Sequence, residues 1–221
     1  MRRSLSGTQR QADIFAGLII LLGLFIPAAS QGQVAANLST RDGSEKDQAR
    51  DTAYRFAECV VKSRPKMTKK ALAETSPLEA HKAFQALVKP QCLAEGYLKM
   101  DAAAIRGPLY RAMYLREFDK DEPHFTALPP EQPSDEDRGY RAFGSCVMRV
   151  APDMTRAFVL ARPGSDEENR ALTALRPTFD ICVNPEEKLV FSKATLDSAL
   201  AQALYERAVA ASNSQNLAKA N

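Results

Sequence analysis

The chain has 221 residues and a formal net charge of +3. Arg2, Arg3 and Arg10 against Asp13 account for +2 of that charge, so everything after residue 30 is close to neutral. Such a balance gives no global case for nucleic acid, and the length suffices for one good core or two small packed ones.

Residues 1–30 read as a secretory signal. The three arginines form a basic start, and Ile14 to Ile26 is an apolar run of signal length. Pro27, Ala28, Ala29 and Ser30 supply small residues for cleavage near Ser30. A bilayer-spanning helix needs about 20 apolar residues, so no stable membrane span is expected once the signal is removed. The Arg2-Arg3 pair stands far from the apolar run, and no cysteine lies near the cleavage point, so ordinary export is the expectation. Residues 31–47 are polar and small, with Asp42-Gly43-Ser44, and are expected to be a flexible lead-in.

Two stretches, 48–118 and 139–210, then repeat one pattern. Phe56 and Phe143 stand three residues before Cys59 and Cys146; a valine follows each cysteine, and Pro65 and Pro152 come six residues after. Ala83 to Leu87 matches Ala171 to Leu175, a second cysteine follows each (Cys92, Cys182), and Ala112 to Tyr114 matches Ala203 to Tyr205. Each repeat should open on a helix. In the first, Ala53, Phe56, Ala57 and Val60 make an apolar stripe at helical spacing. A short helix follows over Met67 to Glu74. Capping boxes are expected at Ser76-Pro77-Leu78-Glu79 and Ser165-Asp166-Glu167-Glu168, starting helices that stop before Pro90 and Pro177.

A brief extended piece comes next in each repeat, Tyr97 to Met100 and Lys188 to Phe191; pairing across a pseudo-twofold axis would join the two. Asp101 and Ser192 suit N-capping of the last helices, one carrying Leu196, Ala199, Leu200, Ala203 and Leu204, the other expected to kink at Gly107-Pro108. Between the repeats, residues 119–138 are acidic and rich in proline, an extended linker. Residues 211–221 should be a flexible tail.

Four cysteines in an exported chain read as two disulfides, and of three possible pairings Cys59–Cys92 and Cys146–Cys182 would staple each repeat internally. Such loops are worth roughly 3–4 kcal/mol each. His81 and His124 belong to no metal-spaced cluster, and neither a nucleophile elbow nor a phosphate or dinucleotide loop is visible. No catalytic residue, metal or cofactor is therefore assigned. The run Lys62, Arg64, Lys66, Lys69 and Lys70 is a solvated face or a docking patch for an anionic envelope component or acidic protein. Tyr114 and Tyr205 are packing residues, or else line a groove between the repeats.

The Cys-Val elements at 59 and 146 and the stretch Leu189 to Leu196 through Ala203-Leu204-Tyr205 resemble small exported alphaproteobacterial proteins of the sphingomonad kind. That resemblance implies a periplasmic home and brings no catalytic residues with it. The expectation is a mainly α protein of two tandem, disulfide-stapled repeats about a pseudo-twofold axis. It would act as a non-catalytic interaction or scaffold module; the alternative is a small-ligand carrier with a groove between the repeats.

Overall fold

The computed structural model describes residues 31–93, 102–118, 120, 123–130, 139–184 and 187–220; the expected signal, Asp101 and the extended piece 97–100 lie outside them. Among the described residues the chain is built of α-helices with no strand. The helices are α1 (Gln31–Ser63), α2 (Pro65–Ala73), α3 (Pro77–Leu87), α4 (Ala102–Phe118), α5 (Gly139–Val150), α6 (Pro152–Leu160), α7 (Asp166–Cys182) and α8 (Lys193–Ala220), with a single 3-10 turn at Pro90–Cys92. Lys188 to Phe191, expected to be extended and paired, is irregular chain.

Local chemistry accounts for the boundaries. Pro65, Pro77 and Pro152 each sit in the first turn of a helix, where a missing N–H costs nothing. Ser165 caps α7, its Oγ accepting from Glu168 N at 3.2 Å. Ser192 caps α8 by accepting from Thr195 N at 3.1 Å, and Thr195 Oγ1 accepts from Ser192 N at 2.8 Å, a reciprocal box. The box expected at Ser76 does not form: its side chain makes no cap bond, and Glu79 turns outward to Lys82 at 2.8 Å.

Three helices run further than the sequence pattern predicts. The lead-in over 31–47 is helical as part of α1, and the tail is helical to Ala220 as part of α8, because extending a helix already held by packing costs little per residue. α7 does not stop before Pro177 but runs through it to Cys182. Thr178 and Cys182 are buried, Phe179 lies 5.5 Å from Phe143 of α5, and the Cys146–Cys182 bond anchors the last turn; together they offset a cost of about 3 kcal/mol for an interior proline.

α4 and α8 cross at the centre of one core. α1 and α2 pack on α4, and α5 and α6 pack on α8. α2 pairs with α3 and α6 with α7. The expected bridges are both present: Cys59–Cys92 and Cys146–Cys182, with Cα–Cα distances of 5.5 and 5.6 Å. Arginines close two helix ends. Arg106 donates to Leu72 O at 2.9 Å at the end of α2, and Arg111 to Val159 O at 3.1 Å at the end of α6. The described part of the linker lies on α5 and α8: Leu128 N donates to Arg149 O at 2.9 Å, and Arg207 donates to Thr126 O at 2.8 Å.

Two glycines set how closely α8 is approached. A Cβ on Gly107 of α4 would come 2.5 Å from Ser198 Cα, and one on Gly144 of α5 would come 2.5 Å from Ala199 O. Both obstacles are backbone, so the helices themselves would have to part. Gly107→Ala and Gly144→Ala should each destabilise the fold by about 1–3 kcal/mol, net of the gain in helix propensity. Urea unfolding reads this directly, and unchanged midpoints would show that α8 yields at little cost.

Candidate functional site

The site begins with residues that local pattern makes look out of place. On α1, Arg50 and Tyr54 fall on the same stripe as Ala53, Ala57 and Val60 and are buried with it. On α8, Asp197 falls among Leu196, Ala199 and Leu200 and is only 3% exposed. On α7, Glu168 is 0% exposed although it stands in the first turn. A buried charge is tolerated only when paired and hydrogen-bonded.

Pairing is what the geometry provides. Arg50 Nη2 donates to Glu168 Oε1 and lies 4.0 Å from Asp197 Oδ2, while Nη1 donates to Asp47 Oδ1 at 3.1 Å. Glu168 Oε2 accepts from Lys193 Nζ at 3.0 Å and from Gly164 N at 2.9 Å, reaching one residue beyond the cap expected of it. Tyr54 donates its hydroxyl to Asp197 Oδ2. The guanidinium of Arg111 lies 4.4 Å over the Tyr54 ring and is itself held by Glu58 at 2.8 Å. Two buried polar atoms lack a partner among the described residues, Arg50 Nε and Asp197 Oδ1.

The electrostatics separate the two carboxylates. Burial pushes Asp197 up from its ordinary value to about 6, with Arg50 and the Tyr54 bond opposing that rise. Burial acts on Glu168 in the same direction, but bonds from Arg50, Gly164 N and Lys193 outweigh it and leave Glu168 below the usual carboxylate range. Burial and the neighbouring Asp197 raise the Tyr54 hydroxyl, so it stays a neutral donor. Arg50 loses by burial and gains more from Glu168 and Asp197, so it stays a cation.

Against this network opens a cleft of about 670 Å³ between α1, α4 and the start of α8. Its walls are short and apolar (Ala49, Ala53, Ala104, Pro108 and Ala194); Lys46 and Lys193 also line it, with Arg50, Tyr54 and Asp197 its buried polar groups.

The residues singled out from sequence lie elsewhere. Tyr114 and Tyr205 are 2% and 6% exposed and join Tyr110 and Phe118 in an aromatic cluster where α4 meets α8, so they pack rather than line a groove. Of the basic run, Lys62, Lys66, Lys69 and Lys70 are exposed, whereas Arg64 is half-buried and donates to Ala86 O at 2.5 Å. The described linker residues leave that run uncovered, being engaged on α5 and α8. His81 and His124 are exposed. No motif or spacing rule marks Arg50, Tyr54, Lys193 or Asp197, and Glu168 fits a helix cap; the signal that points to them is charged residues inside apolar stripes. Comparison with family models, with curated proteins and with solved structures finds no match for this chain.

Between its unfolded value near 4 and its folded value near 6, Asp197 binds more proton in the folded state. Its contribution is therefore fully present below about pH 4 and is lost as pH rises through 6, by roughly 2–4 kcal/mol. Glu168 works in the opposite sense, losing its contribution as pH falls below the usual carboxylate range. Unfolding free energies measured from pH 4.5 to 7.5 should fall in the wild type, and Asp197→Asn should flatten that fall. Equal slopes would dismiss the assignment. Glu168→Ala, which takes from buried Arg50 its nearest carboxylate and leaves it only Asp47 and the more distant Asp197, should cost about 3–5 kcal/mol at pH 7 by the same measurement, and a loss under 1 kcal/mol would mean that water reaches the pair.

Proposed function

We propose that this protein is an exported, periplasmic binder of a small and largely apolar ligand, and that the cleft between α1, α4 and α8 is the binding site. The single observation behind this reading is the cleft itself. Its roughly 670 Å³ falls in the range of small-molecule sites, and its short apolar walls surround a few convergent polar groups. Carriage of a ligand is favoured over a scaffold role because the walls stop short of filling the space beside the buried charges. The two disulfides suit an oxidising compartment, and no described helix is long and apolar enough to cross a membrane.

We also read the architecture as two tandem repeats about an approximate twofold axis. Several paired features support it. Thr68 and Thr155 are both fully buried, and each donates its hydroxyl to the carbonyl four residues back, at 3.0 and 2.8 Å. The residues before α2 and α6, Arg64 and Ala151, have φ of −139° and −134°. The disulfides close over separations of 33 and 36 residues. Gly107 and its counterpart Ser198 meet each other, as residues next to a twofold axis must.

Ala104 and Ala194 are exposed wall positions, so filling the cleft from there leaves the core intact. The neutral dye N-phenyl-1-naphthylamine should bind the wild type saturably with enhanced fluorescence, and Ala104→Trp or Ala194→Trp should weaken it at least about tenfold. Undiminished binding in both variants, with thermal unfolding unchanged, would move the site out of the cleft.

A further inference from the structure

Resting on the ligand-binding reading above, the buried polar groups specify the head group of the ligand. Arg50 Nε is a donor without an acceptor, and Asp197 Oδ1 is an acceptor without a donor. Both residues line the cleft, and both are more than nine-tenths buried. The closest approach between the two groups is 4.0 Å, from Arg50 Nη2 to Asp197 Oδ2, so the orphaned atoms belong to two neighbouring groups that line one cleft. An orphaned polar atom in such a place is costly, and a ligand that satisfies it gains what the empty fold lacks.

Three kinds of head can be weighed by inventory. An ammonium only donates: it would serve Asp197 and leave Arg50 Nε unmet, and it would add a cation beside Arg50 and Lys193. A carboxylate only accepts: it would serve Arg50, but it would leave Asp197 Oδ1 unmet and face it with like charge. A primary amide or an alcohol both donates and accepts, and so meets both atoms without bringing a further charge into a buried network. We infer that the cleft takes a neutral ligand whose apolar body lies against Ala53, Ala104, Pro108 and Ala194 and whose amide or hydroxyl head bridges Arg50 and Asp197.

The test is calorimetric titration at pH 7.5 with four eight-carbon probes: octanamide, 1-octanol, octylamine and octanoic acid. Octanamide and octanol should bind at least about tenfold tighter than octylammonium and octanoate. Asp197→Asn removes the negative charge and supplies a donor, so it should narrow the disadvantage of octanoate about tenfold while leaving octanamide within about threefold. A preference for octylammonium or octanoate, abolished by Ala104→Trp, would overturn the neutral-head assignment while the apolar cleft stands. Equal affinity for all four, abolished by the same variant, would likewise sink the head-group inference alone. No binding by any probe, or binding that survives Ala104→Trp, would remove the cleft reading and this inference with it.

Discussion

Arg50 is the cation that the fold must accommodate. It sits on the buried stripe of α1, where the neighbouring residues are alanine, phenylalanine and valine, and water does not reach it freely. Its charge is met by Glu168 from the first turn of α7 and Asp197 from the first turns of α8. The apolar stripe of α1 discriminates poorly between neighbouring registers on α4, since alanine and valine pack acceptably one turn either way. The guanidinium does not have that freedom. A shift of one turn would carry Arg50 about 5 Å from its carboxylates and strand three buried charges at once. The same bonds determine where α7 and α8 start relative to α1, so the polar network serves as a register device for three helices.

The cleft follows from a second constraint. Gly107 and Gly144 bring α4 and α5 to backbone contact with Ser198 and Ala199, which presses the first half of α8 into the core. One turn before that contact α4 and α8 carry only Ala104 and Ala194, and the remaining apolar lining is Ala53 of α1 and Pro108 beside Gly107, all short side chains. A space is left beside the charged network because the helices are held close at one level and carry short residues at the next. Longer side chains at these positions would have closed it and buried Arg50 and Asp197 completely.

Local signals in the sequence carried through to the structure where the determinant was local. Ser165 and Ser192 cap α7 and α8, and the cysteines pair within each stretch. Where tertiary packing outweighs local preference, those signals failed: α7 passes through Pro177 because its far end is bonded to α5, and Ser76 makes no cap bond despite a matching motif. The candidate site was the least legible part. Arg50 meets Glu168 across 118 residues of chain and Tyr54 meets Asp197 across 143, and no spacing rule connects such positions. Glu168 was also masked by an adequate local role. Its position three residues after Ser165 explained it as a cap, while its carboxylate in fact serves the far helix as well as Gly164 N.

On the repeat reading proposed above, the chemistry sits where the two halves differ. Tyr54 corresponds to Arg141, Lys193 to Ala102 and Asp197 to Arg106; in the register that matches Ala83–Leu87 with Ala171–Leu175, one residue off that of the two serine caps, Glu168 corresponds to Ala80. Arg106 is half-buried and spends its guanidinium on Leu72 O and Tyr110, closing the end of α2. The counterpart of Glu168, Ala80, is an apolar core residue. A strictly symmetric molecule would place either two such networks or none on opposite sides of the α4–α8 crossing. Here one side has been given over to apolar packing, and its disulfide, buried threonine and capping arginine hold a frame. The other side keeps the charges and the unfilled space. On that reading the frame is duplicated but Glu168 and Asp197 occur in the second half alone, and they meet Arg50 and Tyr54 of the first half at the junction where the candidate site lies.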